Sequence, residues 1–291
     1  MTEQKLHRRR FIETGALAAA GTAIAGQKTA DGSTLKKVPA GKVGLILYTV
    51  RDHMETAEDT ARTLARVKEI GYDTIELAGF GPLKPAEWAK LLDKNELNAV
   101  AAHTGWEALE QDTRRVVDEN KALGIEHLVV SSMPGKFRSA EGYERFAKLG
   151  SEKGEELAQY GMTFSYHNHS FEFTHFNGKP GQQILVEASD PKYFNFEIDV
   201  YWVQHGGGDP AAWIRKIAGR APTVHVKDMV ILDGKQAFAE VGEGNLNWPG
   251  ILEACQEAEA KYLLVEQDTC QRDSFESAAI SLRNMKKWGL S

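Results

Sequence analysis

The sequence predicts an α/β protein with a single barrel of eight parallel strands, a (β/α)₈ barrel. From Val43 onward, short apolar runs alternate in order with segments of helical spacing, giving eight pairs. The runs are nearly continuous, which is typical of parallel strands buried on both faces. The turn after the first run, Thr49–His53 (TVRDH), has no glycine. An open doubly wound sheet would want a Gly-rich phosphate turn there. Residues 42–291 are therefore predicted to form one barrel.

The first four pairs cover residues 43–160, and Gly71, Gly124 and Gly161 are natural stops for three of their helices. The strands are predicted at Val43–Val50, Thr74–Ala78, Leu97–His103 and His127–Met133. The helices are predicted at Thr56–Ile70, Pro85–Lys94, Trp106–Leu123 and Ala140–Tyr160.

The last four pairs cover residues 162–288 and use the same alternation. Their strands are predicted at Met162–His169, Phe194–Trp202, Thr223–Asp228 and Tyr262–Asp268. Their helices are predicted near Gly181–Ala188, Pro210–Ile217, Trp248–Ala260 and Ser274–Trp288.

The N-terminus is predicted to be an export signal. Arg8–Ile12 (RRRFI) fits a twin-arginine pattern, and a mildly apolar stretch, Thr14–Ala25, ends in a small-residue cleavage signal. We therefore expect residues 1–25 to be a signal peptide, 26–41 a polar linker, and the protein to be periplasmic or extracellular. The apolar stretch is too short to span a bilayer, so no membrane association is expected after signal removal.

The bulk composition is that of an ordinary globular enzyme with an acidic surface. The formal charge is −6, and becomes −8 without residues 1–25, because these hold four Lys/Arg and two Asp/Glu. An acidic protein is a poor polyanion binder, which argues against a nucleic-acid partner.

Cys255 and Cys270 do not make a disulfide framework, and their pairing stays open. The oligomeric state also stays open, a homo-oligomer included.

Metal-binding side chains fall near the C-terminal ends of the last four predicted strands: His167 and His169, Asp199, His225, and Glu266. In a parallel barrel these ends meet at one rim, where the chemistry lies. The two histidines lie two residues apart and so share a face. Asp199, expected mid-strand, needs a cation because burial of an unpaired carboxylate is costly. The set suits a divalent ion, Mn²⁺ first, with Co²⁺, Mg²⁺ or Zn²⁺ as alternatives.

Other groups are candidates for the acid–base and substrate roles. His167 or His169 would be the general base, and Lys227 would hold a sugar hydroxyl or an enediolate oxygen, unless it pairs with Asp228 or Glu240. Glu197 shares a face with Asp199 and could be its structural partner. The candidates for substrate contact are His103, Trp106, Trp202 and His205.

Five segments carry a resemblance to the sugar phosphate isomerase/epimerase superfamily, the xylose isomerase-like TIM barrels. They are YHNHSFEF (166–173), FEIDVYWV (196–203), HVKD (225–228), VGEGNLNW (241–248) and LVEQD (264–268).

The resemblance implies one divalent ion bound by Glu, Asp, His and Glu from strands five to eight. Asp199, His225 and Glu266 match the last three. Strand five carries His167-Asn168-His169 where the family commonly has Glu, so either His167 or Glu172 supplies the first ligand, and we expect Glu172. A histidine there is more similar to the inosose dehydratase and 3-keto-glycoside branches, which eliminate rather than epimerise.

The resulting hypothesis is a metal-dependent isomerase, epimerase or lyase acting on a keto-sugar or 3-keto-glycoside. The ion would make the proton beside the carbonyl acidic, and its removal would give an enediolate. Two other classes stay open: an exported sugar-binding barrel without activity, and a metal-dependent phosphodiesterase. The acidic charge counts against the phosphodiesterase.

Overall fold

The computed structural model describes residues 43–291, which form a closed barrel of eight parallel strands. Each strand pairs with its neighbours in chain order, and the last pairs with the first through Val43 and Leu263. The predicted fold class is confirmed. The predicted signal peptide and linker lie outside the described residues. Strands β1 to β8 are Val43–Ile46, Thr74–Leu77, Asn98–Thr104, His127–Val130, Thr163–His167, Phe194–Asp199, Thr223–Val226 and Tyr262–Val265.

Helices follow the strands and cover the outside of the barrel. The first begins at a capping box, in which Thr56 accepts from the Asp59 backbone and Asp59 accepts from that of Thr56. Helices α1 to α10 are Ala57–Ile70, Pro85–Asn95, Trp106–Gln111, Thr113–Lys121, Ala140–Ala158, Gly181–Ala188, Val200–His205, Pro210–Lys216, Trp248–Glu257 and Ser274–Lys287.

Two polar residues set boundaries that differ from the prediction. Asp112, with φ −153°, divides the predicted helix 106–123 into α3 and α4, and its side chain caps α4 at the Arg115 N–H. Asp199 is not mid-strand: β6 ends there, and its side chain accepts a hydrogen bond from Trp202 N at 2.9 Å as the cap of α7. In both places a carboxylate satisfies a free helix N–H, which decides the end of the element.

The packing between α5 and the barrel is tight because α5 carries glycines on its buried face. A Cβ at Gly154 would lie 1.9 Å from the Tyr193 carbonyl oxygen, and one at Gly150 would lie 2.5 Å from the Phe194 ring. Trp106 belongs to the same core, with its ring 4.9 Å from that of Phe146.

A β-hairpin, Asp228–Leu232 and Lys235–Ala239, follows β7 directly. Its Phe238 ring lies 4.3 Å from Tyr201 and 5.7 Å from Trp202, so the hairpin packs on α7 beside the C-terminal ends of the strands. Asp228 anchors the loop that follows, because its carboxylate accepts from the backbone of Gly242 and Gly244 among other donors.

At the opposite end of the barrel, the Val43 N–H donates to the Ser291 carbonyl oxygen at 3.3 Å. Among the described residues, Cys255 and Cys270 are both free thiols. In that same part of the chain, no helix has the length and apolar character needed to cross a membrane.

Candidate active site

The C-terminal ends of β5 to β8 bring together His167, Asp199, His225 and Glu266, here called the Asp199 set. One ligand atom from each lies within 4.8 Å of the others, and all four residues are buried. His225 Nδ1 is 2.9 Å from Glu266 Oε2, and His167 Nε2 is 4.0 Å from Asp199 Oδ2. Carboxylate oxygens and imidazole nitrogens at this spacing can hold a divalent ion.

Lys227 is fully buried beside this set. Its Nζ lies 2.8 Å from Asp199 Oδ2, 2.7 Å from Glu266 Oε2 and 2.5 Å from Asp268 Oδ2. Burial alone would lower the pKa of Lys227, but the three carboxylates raise that pKa above its ordinary value. The ammonium donors therefore already face carboxylates, although not those of Asp228 or Glu240, and Lys227 balances the charge around it. The role of Lys227 at an enediolate oxygen stays a prediction.

A second group, His103, His167, Glu197 and His225, is here called the Glu197 set. Its ligand atoms also lie within 4.8 Å of one another. Glu197 Oε1 is 2.9 Å from His103 Nε2, 3.0 Å from His225 Nε2 and 3.4 Å from His167 Nδ1. Burial would raise the pKa of Glu197, yet the imidazoles around it hold that pKa well below its usual range.

Glu76, at the end of β2, extends this network and was missed by sequence reasoning. Its Oε2 lies 2.6 Å from His225 Nε2, and burial together with the nearby Glu197 carboxylate raises the pKa of Glu76 to about 7. A signal existed, because Glu76 is a single carboxylate in a buried strand, Thr74–Leu77 (TIEL). It is the same signal that singled out Asp199 and Glu266.

A polar cavity of about 200 Å³ opens beside both sets. His169 stands in its wall, with its ring 5.0 Å from His167 and stacked 5.6 Å from Phe171. The buried His169 Nδ1 has no hydrogen-bond partner among the described residues, and burial lowers the pKa of this imidazole to about 4. The cavity is lined by Tyr48, His103, Ser131, Ser132, His167, His169, Glu266 and Asp268.

Comparison with known families agrees with the fold. Residues 64–288 match the family model described as xylose isomerase-like TIM barrel. The chain belongs to this family. The match runs from α1 into the C-terminal end of the chain, so it includes every strand of the barrel except β1.

This xylose isomerase-like barrel is also similar to individual proteins. Inosose dehydratase of Mesomycoplasma hyopneumoniae strain 7448 is 24% identical over 235 residues, which are 74% of this chain and 76% of that protein. A sugar phosphate isomerase/epimerase from Parabacteroides distasonis superposes with a TM-score of 0.73 at 22% identity, covering 90% of this chain and 98% of that one. The structure of L-ribulose 3-epimerase gives a TM-score of 0.63 at 14% identity, with 85% and 94% covered.

Glu172 does not lie with the Asp199 set. Its position differs from the prediction that Glu172 supplies the strand-five ligand. Its Oε1 accepts a short hydrogen bond from the Tyr166 hydroxyl, and its Oε2 accepts from His169 N at 2.9 Å. Both oxygens are thus engaged inside the turn that follows β5. His167 takes the place beside Asp199, His225 and Glu266.

The four predicted substrate residues have different positions. His103 lines the cavity, whereas Trp106 is 1% exposed in the core and cannot stack on a ligand there. Trp202 is half-buried with its ring 5.5 Å from His169, and the exposed His205 packs on Trp202 at 5.2 Å. Neither is among the cavity-lining residues. Sequence reasoning missed Tyr48, Ser131, Ser132 and Asp268.

Both sets fit a divalent ion by their chemistry. The donors are carboxylates and imidazoles, neither set contains a thiolate, and buried donor atoms such as His167 Nδ1 and Glu197 Oε2 make no hydrogen bond within the described part of the chain. Buried donors without partners are costly unless a cation or hydrogen-bond donor completes them.

Proposed function

We propose that this chain is a divalent-metal-dependent enzyme that acts on a keto-sugar or 3-keto-glycoside, as an isomerase or epimerase or as a dehydratase or lyase. The observation that carries the proposal is the Asp199 set at the open end of the barrel, beside a polar cavity with an unpartnered imidazole in its wall. Similarity to an inosose dehydratase and to an L-ribulose 3-epimerase supports the substrate class and the reaction types.

His167, Asp199, His225 and Glu266 would hold the ion, which we propose to be Mn²⁺, with Co²⁺, Mg²⁺ and Zn²⁺ as alternatives. When bound, such an ion acts as a Lewis acid that polarises a substrate carbonyl and acidifies the adjacent C–H bond. Lys227 would hold the Asp199 and Glu266 carboxylates in fixed directions, since its Nζ lies within 2.8 Å of both.

His169 is the residue that we propose as general base. The His169 ring lines the cavity, and its buried Nδ1 has no hydrogen-bond partner among the described residues, so this imidazole would accept the proton of a bound ketose. The Glu172 carboxyl group accepts a hydrogen bond from the His169 backbone, and the ring packs against Phe171 and His167, which together would hold it in position. Ser131 and Ser132 supply hydroxyls at another part of the cavity wall for sugar hydroxyl groups.

Proton exchange tests this proposal whichever product forms, because isomerisation, epimerisation and elimination all begin by removing the proton beside the carbonyl. The Mn²⁺-loaded protein would be incubated in D₂O with an inosose, L-ribulose, D-tagatose and a 3-keto-glycoside, and followed by proton NMR. We expect one of them to lose its α-proton signal. A new sugar resonance would indicate isomerisation, and an unsaturated ketone would indicate elimination.

Two variants distinguish the loss of the general base from the loss of a metal ligand. His169→Gln should retain its metal and lose exchange by about 10²- to 10⁴-fold, the usual contribution of a general base. Asp199→Asn should lose metal and exchange together, and the exposed His175→Gln should behave as wild type. A metal-loaded protein that binds one of these sugars and exchanges no proton would contradict the enzyme and favour a sugar-binding barrel.

Export remains a separate proposal, supported by the pattern Arg8–Ile12 alone. A reporter carrying residues 1–41 should reach the periplasm, and an Arg8/Arg9/Arg10→Lys version should stay inside the cell. Retention of both versions in the cytoplasm would contradict it.

A further inference from the structure

We infer that Glu76 is a positioning residue of the candidate metal centre: it holds the Nε2–H of His225, so that Nδ1 is the ring nitrogen presented to the ion. This role rests on the proposed function, because the Asp199 set is taken as the place where the ion binds. His225 belongs to both the Asp199 set and the Glu197 set. A neutral imidazole has one N–H and one lone pair, so this ring can ligate an ion through only one of its nitrogens.

The two nitrogens of His225 have different surroundings. Nε2 lies 2.6 Å from Glu76 Oε2 and 3.0 Å from Glu197 Oε1, whereas Nδ1 lies 2.9 Å from Glu266 Oε2. An ionised carboxylate only accepts hydrogen bonds, so the nitrogen that faces two of them carries the proton. Glu266 is itself one of the proposed ligands. An ion shared by Glu266 and Nδ1 would take the place of a proton between them.

The Glu76 side chain makes this one hydrogen bond. It is 0% exposed, and in the described part of the chain its Oε2 pairs with His225 while its Oε1 has no hydrogen-bond partner. His103 Nε2 lies 3.7 Å from Oε1, beyond hydrogen-bond distance, and pairs instead with Glu197 at 2.9 Å. A carboxylate buried this deeply is costly unless it is partnered. The partner of Glu76 is His225, and no contact with the surrounding strands replaces it.

The neighbours of the His225 ring also fix its orientation. Glu76 and Glu266 contact its two nitrogens, and the His103 ring stacks on it at 5.4 Å with 18° between the planes. Glu76 reaches the ring across the inside of the barrel, because β1 and β8 separate β2 from β7 in the sheet. A flip of the ring would place C–H groups where both hydrogen bonds now lie. His225 therefore directs Nδ1 to the Asp199 set before an ion arrives, as outer-shell partners of ligating histidines do.

Cadmium NMR of the wild type identifies the ligating nitrogen without any substitution. The protein would be labelled with ¹⁵N-histidine and loaded with one equivalent of ¹¹³Cd²⁺, and the one-bond ¹¹³Cd–¹⁵N coupling of each assigned ring would be measured. We expect His225 to couple through Nδ1 and to keep a slowly exchanging proton on Nε2. Coupling through Nε2 would overturn the inference and leave the metal centre in place.

Glu76→Gln tests whether Glu76 sets this arrangement. The amide has nearly the same size, but its NH₂ group can donate to Nε2 and so move the ring proton to Nδ1, where the ion should bind. We expect the affinity for Cd²⁺ to fall by about 10- to 100-fold and the Nε2 proton to exchange faster. Glu172→Gln is the matched control, because Glu172 is also 0% exposed and pairs with the Tyr166 hydroxyl and the His169 N–H. It should keep the affinity and the coupling of the wild type.

Glu76→Asp gives a second test, which does not depend on the folding of Glu76→Gln. Aspartate keeps the negative charge but withdraws the oxygen from Nε2 by one methylene group. Faster Nε2–H exchange and weaker Cd²⁺ binding would support positioning by contact. Wild-type affinity and exchange in the folded variants, with folding checked by circular dichroism, would overturn the inference, because charge or bulk alone would then account for Glu76.

Failure of the proposed function has a different signature. A wild-type protein that retains no ¹¹³Cd²⁺, or whose ion couples to neither His167 nor His225, would contradict the Asp199 set as the metal centre and the role of Glu76 with it. Coupling to His225 through Nε2, or unchanged binding in the Glu76 variants, would contradict the role of Glu76 alone.

Discussion

At the scale of single residues, Glu172 connects the turn after β5 to the candidate base. Its carboxyl group is fully buried, accepts from the Tyr166 hydroxyl and holds the His169 N–H. Burial raises the pKa of Glu172 from 4.5 to about 7 against the opposing effect of these donors. The folded protein therefore retains the Glu172 proton at pH values where the unfolded chain has lost it.

This shift predicts a pH dependence of stability that Glu172→Gln should remove. Below about pH 4.5 both states are protonated, and between 4.5 and 7 only the unfolded state releases its proton, so stability falls as pH rises through this range. The loss should total on the order of 3 kcal/mol. Urea unfolding at pH 5 and pH 8 would measure it in wild type and variant. Parallel curves for the two proteins would show that Glu172 does not titrate as described.

Three residues of the Asp199 set, Asp199, His225 and Glu266, could be predicted one by one, because each polar side chain stands near the end of an apolar strand. The strand-five ligand could not, since His167 and Glu172 lie five residues apart on either side of a turn. Which of them points inward depends on the Tyr166 hydroxyl and the His169 N–H, and neither is visible as a pattern. Glu76 had a visible signal, but no second His, Asp or Glu within Thr74–Leu77 marked its strand.

At the scale of elements, the close packing of α5 against the barrel depends on Gly150 and Gly154, which have no side chain. At Gly154 even a methyl group would collide with the Tyr193 carbonyl oxygen, which belongs to the backbone and cannot rotate away. Strand and helix must therefore separate if this residue gains a Cβ.

We expect Gly154→Ala to lower the free energy of unfolding by about 1–3 kcal/mol, the usual cost of overpacking, despite the higher helix propensity of alanine. Gly135→Ala is the matched control, because a Cβ there meets nothing within 4 Å. Its effect should stay within about 0.5 kcal/mol. Thermal and urea denaturation would measure both. Equal stabilities for the two variants would mean that α5 can shift without cost.

Element types are predictable where apolar periodicity is long, and element ends are not. The spacing predicts α5 over 140–160, and the helix spans Ala140–Ala158. The break at Asp112 and the early end of β6 at Asp199 both arise from a carboxylate that caps a helix, an interaction that competes with continued periodicity. Capping chemistry is local, so inspection of these two aspartates could have placed both boundaries.

At the scale of the whole molecule, the barrel was predictable because eight similar strand–helix pairs admit few closed arrangements. The interior was not, since its upper part is filled by ionisable groups rather than by aliphatic layers. Five carboxylates and Lys227 occupy the region where β2, β6, β7 and β8 end. The stability of the fold should therefore depend on the cations that the site receives.

Chelation should lower the melting temperature, and Mn²⁺ at about 100 times its Kd should restore about 2.7 kcal/mol, or roughly 5–10 °C for a domain of this size.

Lys227→Met should lose about 3–5 kcal/mol of folding stability without added metal, because Asp199, Glu266 and Asp268 lose their partner. Differential scanning fluorimetry should then show a larger Mn²⁺-induced rise for this variant than for wild type. A smaller rise would indicate that Lys227 assists metal binding instead of balancing the same carboxylates.

The hydrogen bond between Val43 and Ser291 brings the first and last described residues together. The two residues meet at the end of the barrel away from the cavity, so a short linker between them would cross no strand and approach no ligand. New ends could then be opened at a turn on that same end, such as Gly124 or the exposed Gly161. Circular permutation thus offers a way to change the order in which the strands leave the ribosome while the candidate site keeps all of its residues.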